Sequence, residues 1–188
     1  MRLPTQLSKL SIQIKKVTIL IFIMGILLGL GIGLLVSVNM VKSANEMSRR
    51  FSILAEKAIY MSDIVRVTDV AYIVPVAVYA SYNILKANSI AQLKMNPEIY
   101  LERPIDLVNI TLSSLSKATP PSEVEEFHKL LVDKFSTLLN KLLEYKKGII
   151  SGSMKPEEAL KMYKDISDTC NEILNLAKAI SNTLKKTV

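Results

Sequence analysis

The chain has 188 residues, a formal net charge of +7 and an isoelectric point near 9.4, with one cysteine and no tryptophan. A single cysteine excludes an intramolecular disulfide framework and a cysteine-based zinc cluster. The positive charge does not indicate a nucleic-acid partner, because residues 1–43 hold five basic and no acidic residues while the rest is nearly balanced.

The longest uncharged segment covers residues 17–38, with the sequence VTILIFIMGILLGLGIGLLVSV. A helix of this length reaches roughly 33 Å and can cross a hydrocarbon core about 30 Å thick. A signal peptide has a shorter apolar region, about 7 to 15 residues, that ends in a small-x-small cleavage site. Val41 with Ser43 is a passable cleavage pair. We interpret the segment as an uncleaved transmembrane helix, with a signal peptide as the alternative.

Charges on the two sides of this segment predict its orientation. Four basic residues and no acidic residue precede it, and Lys15 and Lys16 adjoin it directly. Lys42, which follows the segment, is soon opposed by Glu46. The positive-inside rule predicts residues 1–16 as a cytoplasmic tail and residues 39–188 as an extracytoplasmic domain at the cell membrane.

Glycines recur every four residues within the predicted span, at Gly25, Gly29 and Gly33. This spacing places all three on one helix face, where small residues let two membrane helices approach closely. We predict a helix-association face, and therefore a homo-oligomer or a membrane-protein partner in addition to the lipid bilayer.

The residues after the span step by three and four in strict alternation, which predicts a seam on one face of a long helix. Ser37 and Met40 carry the same spacing back toward the membrane, so we predict one continuous helix from the span into the outer domain. The seam consists of Ala44, Met47, Phe51, Leu54, Ala58, Met61, Val65, Thr68 and Tyr72.

Residues 70–85 form an uncharged segment of 16 residues. This length is just short of the roughly 18 to 20 residues that a membrane span requires. Pro75 would kink or break a helix at this point, and the alternating valines are compatible with a short strand. We interpret the segment as a kinked, buried helix at the centre of the outer domain. The main alternative is a second membrane span, which would return the C-terminal half to the cytoplasm.

Three further helices are predicted from apolar spacing, and they complete an all-α, up-and-down bundle of about four helices. Ser122 and Glu125 have the spacing of a capping box. Residues 122–186 are predicted to form an antiparallel hairpin with a Gly-Ser turn. The predicted buried faces are Leu101, Ile105, Val108, Leu112 and Leu115, then His128, Leu131, Phe135, Leu138, Leu142 and Tyr145, and finally Ala159, Tyr163, Ile166, Cys170, Ile173, Ala177, Ile180 and Leu184.

Residues 119–184 contain TPPSEVEEFHKLL, a long apolar helix, a Gly-Ser turn and MKPEEALKMYKDI before a second helix. This arrangement resembles the C-terminal hairpin of uncharacterised prokaryotic membrane-anchored proteins and lipoproteins with helical outer domains. The resemblance implies a helical bundle and an extracytoplasmic location, and it implies no activity.

Few residues are candidates for a site. His128 is the single histidine and falls on a predicted packing face, where a structural or interfacial role is expected. Tyr72, Tyr79 and Tyr82 lie in the tyrosine-rich part of the chain and are candidates for a ligand pocket or an interface. Asn109 begins a glycosylation sequon, Asn-Ile-Thr. Cys170 falls in an apolar seam, where a buried thiol is expected to be inert.

No phosphate loop, metal motif or nucleophile elbow occurs in the sequence, so we predict neither an enzyme nor a cofactor. The predicted function is a non-enzymatic, single-span scaffold or interaction protein whose outer bundle docks another protein or another copy. One alternative is a ligand-sensing outer domain that signals through a partner subunit, because sixteen residues before the span cannot form a signalling domain. The other is the two-span protein.

Overall fold

The computed structural model describes residues 4–92 and 94–186, with side chains from residue 24 onward except at 26 and 31. It contains four α-helices, α1 (Pro4–Ala91), α2 (Glu102–Lys117), α3 (Glu125–Ile150) and α4 (Pro156–Lys186). Short 3-10 helices at Pro97–Tyr100 and Ser122–Val124 precede α2 and α3. The described residues include no strand, and the all-α prediction with four helices is confirmed.

The chain divides into two compact units, Met1–Ile53 and Leu54–Val188. The described part of the first unit is the N-terminal part of α1. Among the described residues, α1 is the one helix long and apolar enough to cross a membrane, counted from Leu27. Its apolar side chains, such as those of Leu34 and Val38, are exposed. The predicted span 17–38 lies on this helix, although the side chains of residues 17–23 lie outside the described set.

The second unit has one apolar core to which the C-terminal part of α1 and all of α2, α3 and α4 contribute. The apolar spacing of the last three helices leads directly to this core, because one stripe of each amphipathic helix can be buried only against the others. The largest fully buried side chains of these three helices include Leu115 of α2, Phe135, Leu138 and Tyr145 of α3, and Ile166, Ile173 and Ile180 of α4.

Ion pairs join α2 to α3 and α3 to α4 at the levels expected for helices that run in opposite directions. Glu102 at the start of α2 lies 3.8 Å from Lys146 near the end of α3. Between α3 and α4, Lys134 pairs with Glu172 at 2.6 Å. The turn that joins these two helices contains Gly152 at a φ of 66°, a left-handed conformation that favours glycine. Residues 122–186 therefore include an antiparallel helix pair.

The face that α1 buries in the bundle differs from the seam predicted from the sequence. We use the name inner seam for a repeat of buried positions on α1 that also steps by four and three, namely Tyr60, Ile64, Val67, Ala71, Val74, Val78 and Ser81. Val67 is 0% exposed, whereas Val65 of the predicted seam is 57% exposed. Helix α1 therefore carries two seams one residue apart, or about 100° around the helix axis.

The segment 70–85 belongs to α1, which continues as a helix through Pro75. Neither the short strand nor a helix break occurs there. Several of its side chains, including Val70, Val74 and Val78, are buried among the other helices of the bundle. Its low charge is explained by this core position.

The predicted capping box at Ser122 and Glu125 is wrong. Residues 122–124 form a 3-10 turn, and α3 begins at Glu125 without a side-chain cap. The Ser122 hydroxyl lies 3.3 Å from the Glu123 carboxylate, and Glu125 instead pairs with Lys129 one turn along α3 at 2.8 Å. The two prolines before Ser122 lead into a 3-10 turn, so Val124 instead of Ser122 occupies the N-cap position of α3.

Candidate interaction surface

We use the name outer seam for Leu54, Ala58, Met61, Val65, Thr68 and Tyr72, the part of the predicted seam that lies in the second unit. Leu54, Val65 and Tyr72 are exposed apolar or aromatic side chains, and Tyr72 is 63% exposed. The Thr68 hydroxyl donates a hydrogen bond to the Ile64 carbonyl at 2.9 Å, so its polar group is satisfied within α1. The outer seam is therefore an apolar stripe without an internal partner along most of its length.

The outer seam forms one wall of a groove between α1 and α4 with a volume of about 720 Å³. The α1 wall comprises Met61, Ile64, Val65, Thr68 and Tyr72. A groove of this size is within the range of sites that hold small ligands or the side chains of a docked helix.

The α4 wall of the groove is polar, in contrast to the α1 wall. Its polar members are Asn171, Asn175, Lys178, Ser181, Asn182 and Lys185. Leu174 and Ala177 supply the apolar part of this wall. The groove can therefore bury an apolar stripe on one side while it offers amide groups and two lysines on the other.

Tyrosines extend the outer seam toward the far end of the bundle. Tyr79 lies seven residues after Tyr72, two steps further along the same repeat, and is 48% exposed. Its ring centroid lies 5.3 Å from that of Tyr163 and 6.0 Å from that of Tyr82. Tyr82 is buried, so of the three predicted interface tyrosines Tyr72 and Tyr79 are accessible.

His128 lies in a separate place, in the core at the start of α3. Its Nδ1 atom lies 2.9 Å from the hydroxyl of the buried Tyr60. Burial lowers the pKa of His128, and this effect outweighs the Leu115 carbonyl and the Asp63 carboxylate, which act in the opposite direction. Burial also raises the pKa of Tyr60 to about 12, with a smaller contribution from Asp63. A neutral pair held in this way is a structural contact between α1 and α3.

Polar contacts surround this pair and join it to the neighbouring elements. Lys57 of α1 lies 3.0 Å from Glu123, with most of the lysine side chain buried. The Ser114 hydroxyl of α2 donates to the Asp63 carboxylate at 3.2 Å. These contacts fix the register of α1 against α2 and α3, because a shift of α1 along its axis would separate both pairs of side chains.

Cys170 lies in the core, where burial raises the pKa of its thiol to about 12, a shift that the nearby Lys141 only partly offsets. A thiol with such a pKa is almost never ionised at neutral pH and is a poor nucleophile. Within the described part of the chain, no group of three or more histidine, cysteine or acidic side chains is placed to hold a metal ion.

The remaining predicted residues lie on exposed helix surfaces. Asn109 is exposed in the middle of α2, and Thr111 of the same sequon is buried. This sequon therefore lies on a packed helix and not on the surface loop that is usual for glycosylation. Gly25, Gly29 and Gly33 lie on α1, and a methyl group added at any of them would meet open space.

Sequence reasoning missed the inner seam of α1 and the polar wall that α4 adds to the groove. The inner seam has the same spacing one residue earlier, so its signal is present at Tyr60, Ile64 and Val67. Periodicity cannot distinguish the inner seam from the outer seam, because both repeats have the same spacing. The α4 wall has no sequence signature, since scattered asparagines and lysines are typical of any solvated helix face.

No protein-family model matches this sequence, and neither the curated proteins nor the solved structures contain a match to it. The class that the fold defines is a helical bundle whose first helix begins with a segment long and apolar enough to cross a membrane.

Proposed function

We propose that this protein is a non-enzymatic, single-span membrane scaffold whose outer bundle docks another protein or another copy of the chain through the outer seam. The observation that carries the proposal is the exposed apolar repeat at Leu54, Val65 and Tyr72, on a helix whose other repeat already forms the bundle core. Apolar side chains in a heptad repeat are typical of helix–helix contacts. A scaffold needs such a surface and needs no catalytic group.

The membrane anchor in this proposal is the N-terminal part of α1. The described side chains from Leu27 to Val38, which do not include residue 31, are mostly apolar and exposed, as lipid contact requires. Lys15 and Lys16 before it support a cytoplasmic N-terminus, with the bundle outside the cell membrane. The Gly25, Gly29 and Gly33 face gives the anchor a surface for a second membrane helix.

The anchor and its orientation are tested on membranes from cells that make the full chain. We expect the protein to remain in the pellet after alkaline carbonate extraction. A C-terminal tag should be digested by protease added to cells whose outer barrier has been opened. Release by carbonate contradicts the anchor, and a protected tag contradicts the outward orientation.

Docking is tested by purifying the tagged full chain in mild detergent after chemical cross-linking. The variant Val65→Glu should lose the cross-linked partner, because it places a charge in the outer seam. The matched control is Ile59→Glu, at a position that is 69% exposed but lies off both seams. Equal partner recovery by the two variants contradicts docking through the outer seam.

A ligand-sensing domain is the second candidate, because the α1–α4 groove has a volume suited to a small molecule. A ligand that binds the folded state raises the melting temperature in proportion to the logarithm of its concentration. A small-molecule screen by thermal shift should then find a compound whose effect is lost in Asn175→Leu and kept in Asn140→Leu, a variant outside the groove. A compound that acts equally on both variants contradicts binding in the groove.

A further inference from the structure

We infer that the outer seam binds the outer seam of a second copy of this chain, in a parallel two-fold dimer that places the partner against the α1–α4 groove. The inference rests on the proposed function, because the membrane anchor of each copy confines both copies to one membrane in the same orientation. Beyond the proposed function, the inference identifies the partner as a second copy and predicts a charged contact between the two copies.

The spacing of the outer seam favours a second copy over an unrelated partner. A heptad seam is completed by a helix with the same repeat in the same register. Helices α2, α3 and α4 bury their own apolar repeats within the bundle. The outer seam of another copy supplies the matching repeat, and a two-fold axis places each residue opposite its equivalent. The contact extends for about 27 Å between Leu54 and Tyr72.

One side of the outer seam faces α4, and the opposite side carries small exposed side chains. Ile64 marks the side that faces α4, since it lines the groove together with the seam. The opposite side carries Ala55 and Ser62, which are small and exposed. In a parallel two-fold pair, the α4 side of one copy faces this small-residue side of the other copy. Small side chains there let the helix of the second copy approach the groove.

A charge of each sign lies where the two copies meet. Asp69 is exposed on the small-residue side of the seam, and Lys178 is exposed on the groove wall of α4. Residues 61–72 of α1 line the groove with residues 171–185 of α4, and further along α1 Tyr79 contacts the earlier residue Tyr163, so the two helices run in opposite directions. Asp69 therefore lies at about the level of Ile173, five residues or about 7.5 Å along α4 from Lys178. Among the described residues neither Asp69 nor Lys178 has an ion-pair partner. The dimer brings Asp69 of each copy toward Lys178 of the other.

Cysteine cross-linking of the full chain in membranes tests the seam contact. Val65→Cys should give a disulfide-linked dimer of twice the chain mass under mild oxidation. Ile59→Cys is the control, exposed on the same helix but off both seams. The native Cys170 is buried and does not contribute. Equal cross-linking at the two positions, or a product with a different protein, overturns the inference.

Charge reversal tests the second contact and separates the dimer from other occupants of the groove. Asp69→Lys or Lys178→Asp alone should lower dimer affinity in detergent by roughly threefold to tenfold, because an exposed pair is present twice. The double variant should restore it. Both residues are exposed, so the helical signal and the melting point of the monomer should not change. Failure of the double variant to restore dimerisation overturns the charged contact.

Carbonate extraction of the same membranes distinguishes this inference from the proposed function. A protein that stays in the pellet but gives no Val65→Cys cross-link leaves the anchor intact and overturns the dimer. A cross-link in a protein that carbonate releases overturns the anchor and, with it, the physical basis for parallel pairing.

Discussion

Replacing Val67 and Val65 by alanine, one at a time, shows which seam of α1 holds the bundle together. Val67 is fully buried and Val65 is mostly exposed, although the two residues are identical and lie on the same helix. Val67→Ala removes two buried carbon groups, worth about 1.6 kcal/mol in transfer free energy, and the cavity that remains raises the loss to about 2–3 kcal/mol.

The helix propensity of alanine exceeds that of valine by roughly half a kcal/mol, and this gain applies equally to both variants. Val67→Ala should therefore lower the free energy of unfolding by about 2 kcal/mol, while Val65→Ala should leave it within about 0.5 kcal/mol. The difference between the two variants reports burial alone, since propensity cancels.

The measurement is a urea titration of the full chain in a large excess of detergent micelles, which separates copies from one another. Near-ultraviolet circular dichroism of tyrosine follows tertiary packing, because the chain has seven tyrosines and no tryptophan. Equal losses in the two variants, or a larger loss for Val65→Ala, would refute the assignment of the inner seam to the core.

Three further predictions concern single residues of the bundle. Because burial lowers the pKa of His128 below its usual 6.5, the unfolded chain binds more protons below that pH. The contribution of His128 to stability is therefore complete above about pH 6.5 and declines as the pH falls toward the lower folded pKa. Urea midpoints should show this decline, and His128→Gln should flatten it. Burial raises the pKa of Cys170 to about 12, so this thiol should resist alkylation by iodoacetamide at pH 8 in the native chain and react fully in urea. Mass spectrometry would measure the alkylation. Fast alkylation of the native chain would contradict the core position of Cys170. Gly152→Ala should lower stability by about 1 kcal/mol because of the left-handed φ of 66°, and Gly152→Asn should cost less, as midpoints of thermal unfolding would show.

Most of the secondary structure of the bundle could be predicted from local sequence patterns. The apolar residues of α3 from His128 to Tyr145 are the ones that the structure buries, and Ile149 extends them. On α4 the pattern also holds, except that Tyr163 is partly exposed and contacts Tyr79. These helices have one apolar stripe each, so periodicity leaves no choice of face.

Helix α1 is different because its outer part has two apolar stripes. Tyr60 and Met61, Ile64 and Val65, and Val67 and Thr68 are adjacent pairs that satisfy the same repeat. Periodicity alone cannot decide which member of each pair enters the core. The choice is made by partners far away in the chain, such as His128, which contacts Tyr60, and Glu123, which contacts Lys57.

The amino-acid sequence alone predicts the helical class, the long apolar segment near the N-terminus and the buried faces of the helices that have a single apolar stripe. Those features depend on composition and on spacing within one helix. Three features become visible only in the folded bundle: the outer seam remains exposed, α4 adds a polar wall beside it, and His128 contacts Tyr60. Each of these depends on which side chains meet across helices, and that is set by packing of the whole bundle.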